Sequence, residues 1–263
     1  MQTLAVILAT FFLMVIIVPS SRAVDKPTVD FGYLEIINDP RYEEKRAYAR
    51  IRVKPHDRPF RGSELAIRSS RILGRALKMK FRLDRKEGNT ATDLVTIIDQ
   101  LSAKGVRYFL VDANAEVLSD VATATKGREL LLFNISEPSN ILRAEACQAN
   151  LMHTLPSYAM QTDALAQFLV ANKWYEVLML KGPLKEDIAF ALSFEASAKR
   201  FGVRIVDSRD FVLSNNPRER GKNNVKLMTA GENYDVVFIA AVSYTHLRAH
   251  ETEADLVCRL LLE

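Results

Sequence analysis

Residues 101–134 read LSAKGVRYFLVDANAEVLSDVATATKGRELLLFN, and this stretch decides the fold class. One strand-like run covers Arg107–Val111, two residues after Gly105, and a second covers Leu130–Asn134; each contains four consecutive apolar residues. Apolar residues at helical spacing fill Ala115–Thr125 between them. Short continuous apolar runs are typical of parallel strands that are covered on both faces, and a glycine just before a run marks the end of a helix. The stretch therefore predicts a strand–helix–strand unit.

The same alternation continues on both sides of this unit, which predicts an α/β fold with parallel sheets flanked by helices. The predicted strands are Tyr33–Ile37, Lys78–Leu83, Arg107–Val111, Leu130–Asn134, Glu176–Leu180, Val203–Val206 and Tyr234–Ala240. The predicted helices are Ser63–Leu77, Thr90–Ala103, Ala115–Thr125, Tyr158–Asn172, Glu186–Phe201 and Arg218–Met228.

In two of the predicted helices, the spacing of apolar residues predicts which side of the helix is buried. Leu94, Ile97, Ile98 and Leu101 form one apolar stripe. In the helix after residue 185, the spacing predicts that Ile188 and Leu192 face the core, while Glu195 and Lys199 face solvent.

The longest interruption of the alternation is Glu137–Met152, and a new helix follows Pro156 and Ser157, where Ser157 is a candidate N-cap. We therefore expect a boundary between two lobes near residue 155. The first lobe is predicted to cover residues 24–155 and the second residues 156–241.

The N-terminus indicates export. Leu4–Val18 is an apolar run, with Thr10 as its single polar residue, that is too short for a typical membrane-spanning helix, and Ser21 and Ala23 suit a cleavage site. We expect a signal peptide over residues 1–23, cleaved after Ala23. An uncleaved anchor is the alternative, because the segment Met1–Thr3 carries no basic residue.

Residues 242–263, VSYTHLRAHETEADLVCRLLLE, resemble a translated sequencing adapter rather than natural protein. Without them Cys147 is the single cysteine, and it is either a buried small hydrophobe or paired with a part of the protein beyond residue 241. His56 and His153 then remain as the only histidines, which are too few and too far apart to predict a metal site.

Composition narrows the function classes. The chain has 263 residues, of which 48% are hydrophobic and 26% charged, so it can form a sizeable core. Its net charge of +4 is modest and its basic residues are scattered, which argues against a nucleic-acid partner. The sequence contains no nucleophile elbow, phosphate loop, dinucleotide fingerprint or zinc-protease motif. We therefore expect a protein without catalytic residues, metal or cofactor.

Ligands of open parallel sheets bind beyond the carboxyl ends of the strands. Polar residues in these positions are the candidates for ligand binding, although each type is also common in ordinary turns and helix caps. The candidate ligand-binding residues are Arg41, Tyr42, Asp112, Asn114, Asn134 and Ser136.

Six segments resemble a known family. GSELAIRSSRILGRALKMKFRL (62–83), LSAKGVRYFLVDANAEVLSDVAT (101–123) and ELLLFNIS (129–136) resemble the first lobe of type I periplasmic solute-binding proteins, as in branched-chain amino acid receptors. The second lobe of that fold is matched by MHTLPSYAMQTDALAQFLVANKWYEVLML (152–180), SFEASAKRFGVRIVDSRDFVL (193–213) and YDVVFIAA (234–241). The resemblance implies a two-lobed periplasmic protein whose second lobe is truncated here.

Four further segments resemble the subgroup that is associated with PQQ-dependent alcohol oxidation. These are DPRYEEKRAYARI (39–51), RPFRGSELAIRSSRILGRAL (58–77), CQANLMHTLPS (147–157) and NNPRERGKNNV (215–225). The resemblance implies a monomer that delivers a small-molecule solute to an ABC permease in the inner membrane, with PQQ held by a partner dehydrogenase. A sensory receptor of the same fold and an exported α/β enzyme are the alternatives.

One departure from the family bears on the ligand. Amino acid receptors of this fold usually carry Ser or Thr after the third and fourth strands, whereas this chain has Asp112, Ala113 and Asn114 in the first of these loops. Only Ser136 keeps a hydroxyl in the second loop. The sequence therefore argues against an amino acid as the ligand.

Overall fold

The structure is a computed structural model that describes residues 26–43, 45–46, 52–53, 57–212, 218–219, 222 and 224–241. Its strands are β1 (Thr28–Ile36), β2 (Lys45–Arg46), β3 (Arg52–Val53), β4 (Lys80–Gly88), β5 (Tyr108–Asp112), β6 (Leu131–Asn134), β7 (Leu151–His153), β8 (Glu176–Lys181), β9 (Arg204–Asp210) and β10 (Val236–Ala240). Its α-helices are α1 (Phe60–Ser69), α2 (Arg71–Ala76), α3 (Ala91–Ser102), α4 (Ala115–Ala124), α5 (Tyr158–Ala171), α6 (Lys185–Phe201) and α7 (Val225–Met228).

Two parallel sheets organise the chain, and helices flank them, which confirms the predicted α/β class. The first sheet has the order β4-β1-β5-β6-β7, and the second has the order β10-β8-β9. The short strands β2 and β3 pair with each other in antiparallel orientation. All strands of one parallel sheet end at the same edge, so the residues that follow them come together in space.

The apolar stripe that helical spacing predicts is buried in the core beside the first sheet, as expected. Leu94, Ile98 and Leu101 of α3 are fully or almost fully buried, and Ile97 is partly buried against the same cluster. They pack with central strand residues such as Phe109, which is fully buried. Gly105 ends this region with a φ of 94°, as expected of a glycine just after a helix.

The prediction for α6 is confirmed for the exposed residues Glu195 and Lys199 and is wrong for the buried side. Ile188 is 43% exposed and Leu192 is 58% exposed. The buried side of the helix instead carries Ala191, Phe194 and Ala198, and the Phe194 ring stacks on Phe238 with a centroid distance of 4.0 Å. The stacked aromatic pair, which lies far apart in the sequence, determines which side of the helix faces the sheet.

Two predicted helices differ from the structure. Ser63–Leu77 was predicted to be one helix, but α1 and α2 are separated at Ser70, whose hydroxyl donates to the carbonyl oxygen of Ala66 at 2.8 Å. Such side-chain bonds to the preceding turn bend helices. The predicted helix Arg218–Met228 is shorter where it is described, because Asn224 caps α7 by accepting from the amide of Leu227.

The interruption between the lobes contains a strand that the pattern did not predict. Only three residues, Leu151–His153, form β7, which pairs with β6 through Leu132 and Leu151. Ser157 then caps α5 as predicted, accepting from the amide of Met160 at 3.2 Å. The expected lobe boundary near residue 155 lies between these two elements and stays a prediction.

Cys147 is exposed, so the interpretation of it as a buried hydrophobe is wrong. It lies in the irregular segment that follows a 3-10 turn at Asn140–Arg143, where few apolar residues are available to cover it. The predicted signal peptide, residues 1–23, and the adapter-like tail, residues 242–263, lie outside the described residues. Among the residues that the structure does describe, no helix combines the length and hydropathy needed to cross a membrane.

A cleft of about 730 Å³ opens at the start of β4. Five basic residues line it together with apolar and small neighbours; they are Lys26, Arg71, Arg75, Lys80 and Arg82. Because β4 begins here, this cleft lies at the edge of the sheet opposite to the carboxyl ends of the strands. It contains none of the six candidate residues.

Candidate ligand-binding site

The turn after β1 fixes the backbone position of Arg41 through local hydrogen bonds. Asn38 has a φ of 55°, in the left-handed region that asparagine tolerates better than most residues. Asp39 accepts the backbone amide of Arg41 at 2.9 Å, and Pro40 opens the 3-10 turn that follows. These local preferences direct the Arg41 side chain toward the ends of the neighbouring strands.

Arg41 binds acceptors from three segments of the chain. Its Nε donates to Asp39 at 3.0 and 3.1 Å, and its Nη2 donates to Asp39 Oδ2 at 2.7 Å and to Asp112 Oδ1 at 3.1 Å. Its Nη1 donates to the hydroxyl of Ser136 at 3.1 Å and lies 3.7 Å from the carboxylate of Glu137. The residue thus joins the ends of β1, β5 and β6.

Tyr42 and Arg58 complete the contacts of Asp112. The hydroxyl of Tyr42 donates to Asp112 Oδ1 at 2.7 Å. The guanidinium of Arg58 lies 4.6 Å from the centre of the Tyr42 ring and 3.7 Å from Asp112 Oδ2. A cation over an aromatic face is a favourable contact, so the ring and the guanidinium hold each other in place.

Arg58 also connects this group to a second buried carboxylate. It donates to Glu35 at 3.1 Å and to the carbonyl oxygen of Ile36 at 2.8 Å, and Arg85 pairs with the other oxygen of Glu35. Glu35 is paired in register with Asp112 across β1 and β5. We call Glu35, Asp39, Arg41, Tyr42, Arg58, Arg85, Asp112, Ser136 and Glu137 the polar cluster.

Burial and charge act against each other in the polar cluster. Burial opposes ionisation of Asp39, but hydrogen bonds from Arg41 outweigh it and hold the pKa of Asp39 below its usual range. Burial lowers the pKa of Arg41, yet Asp39 more than compensates and the pKa is raised. For Glu35 burial prevails over the arginines, and its pKa is raised. The Asp39–Arg41 pair is therefore ionised.

Glu137 faces charges from both halves of the chain. Burial raises its pKa and the nearby Arg41 lowers it, while the carboxylates of Glu186 and Asp39 raise it further. Burial, with the charges of Glu137 and Glu186, raises the pKa of the Tyr158 hydroxyl in α5. The backbone amide of Tyr158 donates to the carbonyl oxygen of Pro138 at 2.9 Å, so the start of α5 lies beside the turn that carries Glu137.

The side chain of Asn134 makes hydrogen bonds to the backbone of the following turn. It is fully buried, and its side-chain oxygen accepts from the amide of Glu137 at 2.9 Å. Its amide nitrogen donates to the carbonyl oxygen of Glu137 at 2.7 Å and lies 3.0 Å from Nδ1 of His153. The residue thereby shapes the turn that presents Ser136 and Glu137.

Asn114 caps a helix. Its side-chain oxygen accepts from the amide of Val117 at 3.0 Å at the start of α4. Four of the six sequence candidates, Arg41, Tyr42, Asp112 and Ser136, therefore share one hydrogen-bonded group, whereas Asn114 and Asn134 serve local structure.

The six candidates did not include some members of the polar cluster. Glu35 interrupts an apolar strand, and a charged residue in such a run is a signal for a buried ion pair. Arg58 and Arg85 follow no strand end, and nothing in the local pattern marks them. Among the described residues, no group of three or more histidine, cysteine, aspartate or glutamate side chains could hold a metal ion.

Comparisons with known proteins agree on the fold. No family model matches the chain, and no curated protein sequence matches it. An ABC transporter substrate-binding protein from Desulfitobacterium hafniense, solved as a complex with Leu, aligns with a TM-score of 0.56 and 17% identity over 81% of this chain and 58% of that one.

Two further structures align in the same way. A branched-chain amino acid ABC transporter periplasmic ligand-binding protein from Burkholderia xenovorans has a TM-score of 0.54 and 13% identity, covering 74% of this chain and 51% of that one. A solute-binding protein of an ABC transporter from Rhodopseudomonas palustris, in complex with 3,4-dihydroxy benzoic acid, has a TM-score of 0.50 and 11% identity, covering 81% and 54%. This chain spans between half and three fifths of the length of these structures. It has the α/β fold of the type I periplasmic binding proteins.

Proposed function

We propose that this protein is the substrate-binding component of an ABC transporter and captures a small polar solute between two lobes in the periplasm. The observation that carries the proposal is the polar cluster at the carboxyl ends of β1, β5 and β6, where sheets of this kind bind ligands. The fold it shares with solute-binding proteins supports the same role. The predicted signal peptide supports export.

The position of the cluster suits binding between lobes. Arg41, Tyr42 and Ser136 come from the first sheet, while Tyr158 and Glu186 approach from the helices of the second. A solute that contacts both sets favours the arrangement in which they are closest, which is the general basis of hinge closure in binding proteins. The closed form would be the one that a membrane permease recognises.

A binding measurement tests the proposal. Isothermal titration of the full chain with a panel of small polar solutes should show saturable binding without turnover of the solute. Ser136→Ala removes a hydroxyl from the cluster and should weaken that binding, whereas Ser69→Ala, at an exposed position on α1, should leave it unchanged. Chemical conversion of the solute, or binding that is insensitive to Ser136, would contradict the proposal.

The partner is tested separately. We propose that this protein is a monomer and that its partner is an inner-membrane ABC permease. We also propose that the two proteins serve PQQ-dependent alcohol oxidation. This second proposal rests on the resemblance of residues 39–51, 58–77, 147–157 and 215–225. A strain that lacks this protein should lose uptake of the bound solute and should grow more slowly on an alcohol that a PQQ dehydrogenase oxidises. Normal uptake in that strain would indicate a sensory role instead.

A further inference from the structure

We infer that the polar cluster selects a solute with a hydroxyl group and no net negative charge, rather than a carboxylate anion. The inference rests on the proposed function and names the class of solute for the same site. It is carried by two buried atoms that lack a hydrogen-bond partner in the described part of the chain, Asp112 Oδ2 in the cluster and Tyr33 Oη on the neighbouring strand, and by the internal contacts that already occupy the arginines of the cluster.

The arginines leave little capacity for an anion. Each of the three guanidinium nitrogens of Arg41 contacts acceptors of this chain. Arg58 is bound to Glu35 and to a backbone carbonyl, and Arg85 is bound to Glu35. A carboxylate ligand that paired with one of these arginines in the way a bidentate ion pair requires would have to displace a buried carboxylate such as Asp39, Asp112 or Glu35 and leave it without its counter-charge, which is costly.

The balance of charge points in the same direction. Within the cluster the carboxylates Glu35, Asp39, Asp112 and Glu137 outnumber the three arginines by one. Glu186 adds a further negative charge from the second half. An anion would be repelled here, whereas a neutral or cationic solute would not.

Two buried atoms near the site lack a hydrogen-bond partner in the described structure, and they indicate which ligand group would suit the site. Asp112 and Tyr33 are both fully buried, yet Asp112 Oδ2 and Tyr33 Oη have no hydrogen-bond partner among the described residues. Burial and the charges of Asp112 and Glu35 raise the pKa of Tyr33, so its hydroxyl stays protonated. A buried donor and a buried acceptor that lack hydrogen-bond partners are unfavourable, and a hydroxyl group, which both accepts and donates, can pair with either of them.

The two atoms are within reach of a solute. The side chains that contact Asp112 are Arg41, Tyr42 and Arg58, and all three are partly exposed. A solute hydroxyl that takes the place of the Tyr42 hydroxyl reaches the carboxylate and leaves both arginine contacts of Asp112 intact. Water has the same donor and acceptor capacity and would fill the position in the absence of solute.

Four probes test the inference on the full chain by isothermal titration: glycerol, ethanolamine, acetate and L-leucine. We expect binding of glycerol or ethanolamine, and at least about tenfold weaker binding of acetate and leucine. Asp112→Asn and Tyr33→Phe should each reduce the affinity for the hydroxyl probe by about tenfold. Ser102→Ala removes an unpartnered buried hydroxyl outside the cluster and serves as the matched control.

The outcomes separate this inference from the proposed function. Preferential binding of acetate or leucine would overturn the inference and leave a solute-binding role standing. Equal binding of all four probes, or hydroxyl binding that Asp112→Asn and Tyr33→Phe do not alter, would mean that only water occupies the position and would also overturn it. Binding of none of them would contradict both. If a variant fails to fold, the preference among probes on the unaltered chain still decides.

Discussion

Arg41 shows how one side chain joins three strand ends. Its partners Asp39 and Asp112 are both buried, at 2% and 0% side-chain exposure, and Arg41 itself is 16% exposed. Two carboxylates in that environment depend on a nearby cation, because an isolated buried charge is strongly unfavourable. The arginine therefore stabilises the arrangement of the site by compensating the charges of both carboxylates.

Replacing Arg41 by alanine should lower the free energy of unfolding by about 3–5 kcal/mol, since it leaves buried Asp39 without its cation and Asp112 with Arg58 alone, at 3.7 Å. Urea unfolding followed by circular dichroism measures the change. The matched control is Arg128→Ala, which breaks an exposed ion pair with Asp99 and should cost less than about 1 kcal/mol. Equal losses for the two variants would show that the Arg41 contacts contribute no more than a surface pair.

Glu137 should make the stability depend on pH in a definite direction. Its pKa is raised in the folded protein, by burial first, so between the ordinary value of 4.5 and the raised value the folded state binds more protons than the unfolded state. Stability contributed by this group is therefore lost as the pH rises above 4.5. The variant Glu137→Gln removes that loss, and Gln still offers an oxygen to the amide of Ser139.

Thermal melts at pH 4 and pH 7 measure this effect. The variant Glu137→Gln should melt at a higher temperature than the unaltered protein at pH 7, and the difference should shrink at pH 4. Glu129→Gln, at an exposed position outside the site, provides the control. A lower melting temperature for Glu137→Gln at pH 7 would indicate that its attraction to Arg41 outweighs its burial.

The sequence predicts the members of the polar cluster that follow strands, but it does not predict the members that reach the cluster from other parts of the chain. Asp112 and Ser136 could be predicted, because parallel strands end at one edge and polar residues there are prominent. Arg58 and Arg85 could not, because their roles depend on contacts 23 and 50 residues away along the chain. Asn134 orders the turn to Glu137, and because an asparagine after a strand suits a turn and a binding site equally well, its contact with ligand stays a prediction.

Among the helices and strands, Asn114 tests whether a cap residue also binds ligand. Asn114→Ala removes the acceptor for the amide of Val117 and should lower the free energy of unfolding by about 1 kcal/mol. Asn114→Ser keeps a capping oxygen and should restore most of that stability. Chemical denaturation measures both variants. If Asn114→Ser is stable but binds the solute more weakly, then Asn114 contacts the solute, as the sequence predicts.

The helix positions follow well from periodicity, but the three longest strands extend beyond their predicted bounds. The strand β1 begins five residues before Tyr33, β4 ends five residues after Leu83, and β9 ends four residues after Val206. For the helices, the stripe of α3 and the cap of α5 are examples, because both depend on neighbours in the sequence. The strand β7 was missed because three residues carry no periodicity. The orientation of α6 was wrong because Phe194 meets Phe238 only after the sheet has formed. Local sequence patterns therefore predict whether a segment is a helix or a strand more reliably than they predict what that segment packs against.

In the whole molecule, Asn140 links the two halves. Its side-chain nitrogen donates to the hydroxyl of Ser193 in α6 at 2.8 Å, and its oxygen accepts from the amide of Ala159 in α5 at 2.8 Å. The residue belongs to the 3-10 turn after β6, so one side chain joins the first sheet to both helices of the second half. The order of strands and this link are long-range features that periodicity does not reveal.

A double-mutant cycle measures that link. Asn140→Ala, Ser193→Ala and the double variant should show a coupling energy of about 0.5–1.5 kcal/mol in the free energy of unfolding, because each single change removes the same hydrogen bond. Asn140→Ala alone should cost more than Ser193→Ala, since it also removes the acceptor for Ala159. Thr96→Ala paired with Ser193→Ala, two sites that share no contact, should give additive losses. Additive losses for Asn140 and Ser193 as well would show that the halves are held together by other contacts, such as the charges around Glu137.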